Sequence, residues 1–569
     1  MNVVLFITYS FVIFLSIFGY GFLYRRLIIN FSEKRNLAID GLLGLFLIYL
    51  IGSITHIFLG HGYLHNIFLH GIGLSLFFFF IYKNHIKSEE FFLFLLIFVL
   101  LLTCLIISKT NEDFPYYHLP SSLQFVQQKL QFGLGNLNHG FKQFSSIFII
   151  NSTFYLPKIE IYLFNFVGFV VQILFFLFLA IEIFLKKNEL IIKNFLILIT
   201  LVFLSKFTRL SEFGTDLPGQ LIIAISFVYL LKMIFNNSDK NKNEIYYLSL
   251  IITLIAFSFS TKSMYLIYSL IPLFVFYKIK NKIKFLNYFI KSRNFIIIFL
   301  SILTLFLFNF SSTGCLIYPL KFSCLQNFAE WGLSNETLIY MNNHYESWAK
   351  SLSGPNYSLE DKNELINNFL WIKFWINNYF FTKVTDFILL ILFVSTIYFL
   401  LIKNILNKKK SLQLKNKYFY EIYSLILLIF LIWFFNFPAL RYAGYLIVYL
   451  AISFPIIFFL SKNKYIDEDS LNKRFKILLF ITLIIFNVKN VNRIVDEINI
   501  PAAKNNSFDN FPFYWVKKVN YQKKKIDNHE VYIVKDGNMC WATHSTCIRN
   551  LNFNVKDVNG YKIYLINEQ

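Results

Sequence analysis

The sequence predicts an all-α polytopic membrane protein with about 14 transmembrane helices, outward-facing loops and a small α/β domain at its C-terminal end. Of its 569 residues, 56% are hydrophobic and 20% aromatic, which is more apolar surface than a soluble chain of this length can bury. Apolar runs of about twenty residues recur along the chain, as membrane-crossing helices require. Lysine and arginine concentrate in short loops between these runs, a bias typical of cytoplasmic loops.

The apolar runs divide the chain into membrane segments and polar segments. The membrane segments cover residues 1–108, 160–310 and 385–490, and the polar segments cover 109–159, 311–384 and 491–569. Individual spans are predicted at 2–24, 39–59, 63–82, 91–108, 160–185, 190–205, 217–236, 244–260, 263–280, 295–310, 385–403, 418–435, 443–461 and 475–490.

The positive charges also predict the orientation. Arg25 and Arg26, with Lys34 and Arg35, place the first loop in the cytoplasm, and the first span lacks the features of a cleavable signal. Strict alternation then puts both termini and all three long polar segments outside the cytoplasm. We expect a bacterial inner (plasma) membrane. The formal charge of +22 is explained by these loops, so no nucleic-acid partner is expected.

Two polar segments carry further structural signals. Ser358 and Asp361 resemble a helix start, and Trp371 and Trp375 favour a membrane interface, so an amphipathic helix on the outer leaflet is predicted there. In the tail, residues 530–535 and 561–567 alternate like strands, which predicts the α/β domain.

Four of the five cysteines fall in the outer segments as two short-spaced pairs, Cys315 with Cys324 and Cys540 with Cys547. In an oxidising compartment such pairs form local disulfides, with free thiols or a joint zinc site as the alternatives. Cys104 lies inside a span and is interpreted as a small apolar residue.

The candidate chemistry begins at Asn111–Pro120, an acidic turn that follows the fourth span. Two prolines restrict its backbone. A carboxylate at a membrane edge among aromatic residues is partly desolvated and suits a general base, which makes Asp113 and Glu112 the candidate catalytic residues. Tyr117 and His118 are candidates for binding a substrate hydroxyl. The alternative is an ordinary solvated turn with a satisfied histidine.

Two more outer loops contain candidate substrate-binding residues. Asp216, with Arg209 in the same loop, lies at the mouth of the seventh span, where it is either a helix cap or part of a site. Lys262 and Arg441 each open a span in short outer loops, where positive charge is depleted. They contact lipid headgroups or bind a phosphate, Arg441 through a bidentate fork and Lys262 as a point charge.

The pattern Asp-x-x-x-Tyr-His-Leu-Pro at 113–120, with Glu212–Pro218 and Phe437–Tyr442, resembles the polytopic GT-C glycosyltransferases. Protein O-mannosyltransferases and the lipid A aminoarabinose transferase belong to that group. The resemblance covers residues 90–450 in architecture and a much smaller number in motif. Two features depart from the family: its acidic motif usually follows the first span, and the acidic pair here reads Glu-Asp, which leaves open which carboxylate acts.

The resemblance implies an inverting sugar transfer from a polyprenyl-phosphate donor to a hydroxyl of a glycan, lipid or protein acceptor outside the membrane. Asp113 would act as base, and Lys262 and Arg441 would hold the lipid phosphate. A divalent cation is left open, and no metal ligands are assigned. The alternatives are an O-antigen ligase or polymerase, a non-enzymatic flippase of lipid-linked oligosaccharides, and a structural membrane subunit.

Overall fold

The architecture is taken from a computed structural model of the chain. It describes residues 2–29, 36–83, 86–107, 112–208, 214–235, 240–351, 369–403, 416–462, 467–499, 514–527, 529–535, 537, 539–549 and 552–566.

Helices make up most of the described chain, and the strands lie at its C-terminal end. The α-helices are α1 Asn2–Tyr24, α2 Leu37–Phe58, α3 Tyr63–Tyr82, α4 Ser88–Leu101, α5 Leu119–Gln127, α6 Leu134–Leu137, α7 Ser146–Thr153, α8 Phe166–Ala180, α9 Leu190–Lys206, α10 Asp216–Phe235, α11 Lys240–Thr261, α12 Leu270–Lys278, α13 Lys282–Ile290, α14 Arg293–Thr313, α15 Asn335–Ser351, α16 Leu370–Trp375, α17 Thr385–Ile402, α18 Asn416–Asn436, α19 Tyr445–Ser461 and α20 Glu468–Ile498. The strands are β1 Tyr521–Ile526, β2 His529–Val534, β3 Cys547–Ile548, β4 Phe553–Val558 and β5 Tyr561–Ile566.

Among the described residues, 11 helices are long and apolar enough to cross a membrane, which indicates a membrane protein. Every predicted span coincides with a helix. Three predicted spans are not among these 11 helices: α4 has 14 residues, α9 has 17 residues, and the segment Ser263–Lys278 begins with a 3-10 stretch before α12. The predicted number of spans therefore stays a prediction.

The helices differ in how much of their surface the protein itself covers. In α2 and α10, 89% of the most apolar 18-residue stretch is buried inside the protein, whereas only 17% of the corresponding stretch of α20 is buried. The exposed side chains of the outer helices include large apolar residues such as Phe78, Phe393 and Phe480. Inside a membrane, such apolar side chains can face the lipid and need not be buried by other helices. The central helices α2, α8 and α10 therefore form the scaffold.

The three long polar segments pack together at one end of the helix bundle. The Asn136 side-chain amide donates to the carbonyl oxygens of Trp331 at 3.0 Å and Tyr564 at 3.1 Å, which joins all three segments. Phe132 also pairs with β5, since its N–H donates to Lys562 O at 2.9 Å. We call this end, formed by the described parts of 112–159, 314–351 and 514–566, the loop face.

The opposite end of the bundle contains buried and half-buried ion pairs. Glu182 is fully buried and pairs with Lys232, and Arg25 Nη1 lies 2.6 Å from Asp40 Oδ2. These charges neutralise one another at the ends of the spans, so they do not line a path through the membrane.

The end of the middle polar segment is helical. The helical run Leu370–Ile402 is continuous, so helical structure begins before residue 385. Trp371 and Trp375 are buried: Trp375 Nε1 donates to Pro438 O at 2.7 Å. The loop before α19 therefore covers Trp375, and the position of this helix on the outer leaflet stays a prediction. Ser358 and Asp361 lie outside the described residues.

The C-terminal region corrects one prediction. Helix α20 runs on to Ile498, beyond the predicted boundary at 490. The described residues from 514 onward form strands and loops without a helix: β1-β2-β3 form one sheet, and β4-β5 form an antiparallel pair. The two strand predictions were right, but the described part is a β rather than an α/β region. Both disulfides, Cys315–Cys324 and Cys540–Cys547, are confirmed, and Cys104 is buried and free.

Candidate functional site

Four charged side chains from four separate segments form one connected group beside the loop face. Arg441 lies between two carboxylates: its Nη2 is 2.6 Å from Asp113 Oδ2, and its Nε is 3.0 Å from Asp216 Oδ2. The other oxygen of Asp216 accepts from Lys262 Nζ. We call Asp113, Asp216, Lys262 and Arg441 the charged cluster. The sequence predicted all four as candidates, and the structure brings them together.

An aromatic side chain completes the cluster. Lys262 Nζ lies 4.7 Å from the centre of the Tyr442 ring, and the Arg441 guanidinium carbon lies 5.1 Å from it. The ring face is negative and attracts both cations. The four formal charges of the cluster sum to zero, so the two cations are neutralised within the resting protein.

Arg441 is held by an irregular stretch between α18 and α19, in which Ala443 has a φ of 67°. Its carbonyl groups are satisfied by side chains from other helices. Trp433 Nε1 donates to Tyr442 O at 2.8 Å, and the Tyr268 hydroxyl donates to Ala443 O at 2.8 Å. Such bonds replace the helical ladder that this stretch lacks. The backbone that carries Arg441 is thus fixed from several sides.

Gly444 allows the stretch that carries Arg441 to pack closely against the Trp433 ring. A Cβ at this position would lie 2.5 Å from the Trp433 ring, closer than side-chain atoms approach one another. The same Trp433 indole bonds the backbone that carries Arg441. A glycine is therefore needed to keep the tryptophan against this segment.

Asp216 is the first residue of α10, and its surroundings fix both its side chain and its backbone. Its carbonyl oxygen accepts from the Tyr265 hydroxyl and, at 3.3 Å, from Gln220 Nε2. The same Gln220 amide donates to Arg441 O at 3.2 Å. Gln220 therefore ties the start of α10 to the stretch that carries Arg441.

The two carboxylates differ in exposure. The Asp216 side chain is 4% exposed and that of Asp113 is 31% exposed. Burial raises the pKa of the Asp113 carboxyl, but Arg441, with His118 and Lys262 further away, outweighs burial and holds the pKa below its ordinary value. At neutral pH Asp113 is therefore an anion paired with Arg441.

The other residues of the acidic motif have different positions. Glu112 is exposed, and in the described part of the chain no ion pair involves it. Tyr117 packs against His118 and Phe148, and burial followed by Asp113 and Asp216 raises the pKa of its phenol. Asp113 is thus the carboxylate of the acidic pair that belongs to the cluster. Arg209 lies outside the described residues.

His118 is buried five positions after Asp113. It is 7% exposed and lines a small cavity with Asn151, Asn165 and Thr215. Gly214 packs on its ring, since a Cβ there would lie 2.4 Å from His118 Cε1. Burial lowers the pKa of His118 to about 4. Through its contact with Gly214, the neutral imidazole packs the Asp113–Pro120 motif against the segment that precedes Asp216.

Sequence reasoning missed three residues that shape the cluster: Tyr442, Gln220 and Tyr265. Tyr442 follows Arg441 directly, and Gln220 lies one helical turn after Asp216, where an amide inside an apolar span was a usable signal. Tyr265 carried no signal, because many tyrosines begin spans.

Within the described ranges, no group of three or more His, Cys, Asp or Glu side chains could hold a metal ion. The charged cluster therefore provides a partly exposed carboxylate, Asp113, beside the two cations Lys262 and Arg441.

Comparisons with known proteins add a family but no activity. A family model described as a domain of unknown function, DUF8201, matches residues 1–449. This match contains the whole charged cluster and ends before the C-terminal strands. No curated protein matches the chain, and no solved structure matches it.

Proposed function

Because the chain belongs to the DUF8201 family, whose function is unknown, we propose an activity from the charged cluster itself. The protein is a membrane glycosyltransferase of the GT-C type, which moves a sugar from a polyprenyl-phosphate donor to an acceptor hydroxyl. The acceptor is a glycan, a lipid or a protein. The reaction takes place at the loop face, which is the extracytoplasmic side of a bacterial plasma membrane, with about 14 spans and both termini on that side.

The observation that carries this proposal is the meeting of Asp113, Asp216, Lys262 and Arg441. They come from positions up to 328 residues apart and lie where the spans end. A carboxylate for proton transfer and two cations for a phosphate are the groups that a lipid-phosphate sugar transfer needs at one place.

The neutral charge of the cluster decides how a donor phosphate would enter. Both cations are already paired, so the phosphate must replace a carboxylate at Arg441. Asp216 is nearly buried and holds both cations. Asp113 is more exposed and makes one contact with Arg441. The partner that leaves Arg441 is therefore Asp113.

This exchange couples donor binding to base activation. While it is paired with Arg441, Asp113 is a weak base, because the guanidinium stabilises its anion. Transfer of Arg441 to the phosphate removes that stabilisation, and partial burial then raises the pKa of Asp113 toward a value that suits a base. The base becomes active when the donor is bound.

The chemical step then balances as follows. The acceptor hydroxyl oxygen attacks the anomeric carbon and forms the new glycosidic bond, while its proton passes to Asp113. The bond between the anomeric carbon and the phosphate oxygen breaks, and polyprenyl phosphate leaves with the electron pair. Lys262 and Arg441 stabilise the additional negative charge on this phosphate. Attack from the face opposite the phosphate inverts the anomeric configuration.

The alternatives differ in what they need from the chain. A flippase needs polar residues along a path through the membrane, whereas Glu182 and Lys232 neutralise each other at the end opposite the loop face. An O-antigen ligase or polymerase would use the same face with a pre-built glycan as donor. It is the second candidate, since three polar segments meet at that face and could contact a longer donor.

The experiment is a reconstitution in proteoliposomes with a polyprenyl-phosphate sugar. Product formation by the native chain is compared with that of Asp113→Asn and of Asp386→Asn, a matched change at an exposed aspartate outside the cluster. The proposal expects transfer by the native chain and Asp386→Asn only. Transfer solely from a polyprenyl-pyrophosphate glycan would favour the ligase, and lipid translocation without any transfer would favour the flippase.

A further inference from the structure

The loop that follows α14 exposes large apolar side chains, although it belongs to a polar segment. The Cys315–Cys324 disulfide closes this loop, and we call residues 315–328 the disulfide loop. Phe322 is 85% exposed and Phe328 is 80% exposed. The other exposed large apolar side chains of the loop are Leu320 and Leu325. Several exposed apolar side chains so close together in the chain indicate an interaction surface.

The inner side of the disulfide loop is already packed. Cys315 and Tyr318 belong to a small buried core with Leu333, Leu338 and Met341, so the loop lies against the first turns of α15. The exposed phenylalanines are not part of this core. The described chain therefore leaves the outer, apolar side of the loop without cover.

Hydrogen bonds hold the disulfide loop at the end of α14 that lies at the loop face. The Leu325 N–H donates to Gly314 O at 2.9 Å, and Trp331 Nε1 donates to Phe310 O at 3.0 Å. Phe310 lies three positions before Thr313, the last residue of α14, which is about 4.5 Å along a helix axis. The segment that holds the loop thus lies beside the last turn of a helix that is long and apolar enough to cross a membrane.

The exposed side of α14 leads directly to this segment. Only 39% of the most apolar stretch of α14 is buried inside the protein, and Ile296, Phe299 and Leu303 are exposed on one helix face. Phe310 follows Leu303 by about two helical turns and lies on the same face. The Trp331 ring packs on it, with ring centres 5.5 Å apart, and tryptophan favours the boundary between membrane and water. The apolar outer side of the disulfide loop is therefore continuous with a helix face that meets lipid.

We propose that the disulfide loop is a membrane anchor, which inserts Phe322 and Phe328 among the lipid headgroups and upper acyl chains at the loop face. A lipid surface fits better than a soluble partner, because the loop continues the side of α14 that already faces lipid. Lys321 is exposed next to Phe322, where its ammonium group contacts lipid phosphates and its alkyl stem stays on apolar surface. The proposal needs only a membrane protein and does not rest on the proposed sugar transfer.

Anchoring of the loop also fixes α15 relative to the membrane. The core under the loop includes Leu338 and Met341 of α15. The Tyr345 hydroxyl of the same helix lies 3.2 Å from His139 Nε2 in the first polar segment. Insertion of the loop therefore holds two of the three polar segments at a set distance from the lipid.

The test is photo-labelling of the native full-length protein in vesicles of phosphatidylethanolamine and phosphatidylglycerol. The vesicles contain a phospholipid with a diazirine on its acyl chain near the headgroup, and mass spectrometry of protease fragments locates the labelled residues. We expect label on Phe322 and Phe328 as well as on the exposed side of α14. Tyr521 is the internal reference, because it is exposed in a strand that contains Lys523–Lys525, and it should stay unlabelled.

The double variant Phe322→Ser/Phe328→Ser should lower the label on the disulfide loop about 10-fold or more relative to the label on α14, because the two side chains provide most of the driving force for insertion. Tyr521→Ser is the matched control, since it removes an exposed aromatic side chain outside the disulfide loop, and the label on the loop should not change. Both variants should unfold in detergent at the native temperature, because neither removes a buried side chain.

Label on α14 without label on the disulfide loop would overturn the proposal, and so would equal label on the loop in the double variant and the native chain. A chemical cross-link between the Lys321 amines of two copies, without lipid label on the loop, would assign the surface to a second copy instead. Sugar transfer is a separate measurement, so failure of the anchor leaves the proposed function untouched.

Discussion

The substitution Asp113→Asn separates stability from catalysis, because the structure gives different magnitudes for the two. The Asp113 side chain is 31% exposed and the Arg441 side chain 38% exposed. Ion pairs with this degree of solvent contact contribute about 0–1 kcal/mol. Arg441 also keeps its contact with the buried Asp216 at 3.0 Å. We therefore expect the variant to fold, insert and unfold within about 1 kcal/mol of the native chain.

The effect on transfer is expected to be much larger. An amide cannot accept the acceptor proton, and a positioned base is worth roughly 10²–10⁴ in rate. The assay is a single-turnover transfer from a polyprenyl-phosphate sugar in proteoliposomes, with thermal unfolding in detergent measured on the same preparation. Glu112→Gln tests the neighbouring carboxylate, and its transfer should stay close to native, because Glu112 lies outside the charged cluster.

Three outcomes would refute this reasoning. Near-native transfer by Asp113→Asn eliminates Asp113 as the base. An equal loss in Glu112→Gln shows that the acidic turn, rather than one carboxylate, matters. A variant that loses several kcal/mol of stability shows that the ion pair is structural.

Three further predictions follow from the same geometry. Asp216→Asn removes the buried carboxylate that holds both cations, so it should lower the free energy of unfolding by about 3–5 kcal/mol. The thermal midpoint should fall far more than in Asp113→Asn, and equal midpoints would contradict this. The pKa of folded His118 is lowered to about 4 by burial, and the unfolded chain binds a proton below about 6.5. Native stability should therefore fall as the pH drops from 6.5 to 4, and His118→Gln should make this dependence less steep in thermal unfolding, whereas an unchanged slope would exclude a contribution from His118. Replacing Cys540 and Cys547 by serine opens a loop of 7 residues, so the C-terminal strands should lose about 2–3 kcal/mol of stability against unfolding. Protease should then cleave this region faster, and an unchanged rate of cleavage would contradict the prediction.

The sequence predicted the location of the charged cluster better than its internal arrangement. Asp113, Asp216, Lys262 and Arg441 could be selected because each lies where a span begins or ends on the same predicted side. Their mutual ion pairs could not be predicted, since they depend on how α10 and the stretch before α19 are placed next to each other. Gln220, which joins these two elements, is a polar residue inside an apolar run, and the pattern alone does not show which partner it contacts.

The contacts of the fold that local pattern does not predict have a similar origin. Trp371 and Trp375 have the composition of an interfacial helix, and local pattern favours a membrane surface. Their burial depends on the segment around Pro438, more than sixty positions later in the chain. The β-strands of the tail were predictable from alternation, but their pairing with Phe132 was not, because it joins two segments that are more than 400 residues apart.

The most direct test of the account is the structure of the protein with a polyprenyl phosphate bound. We expect the phosphate within hydrogen-bond distance of Arg441 and Lys262, with Asp113 released from Arg441 and Asp216 still in place. A phosphate bound elsewhere, or bound while the 2.6 Å contact between Asp113 and Arg441 persists, would contradict it.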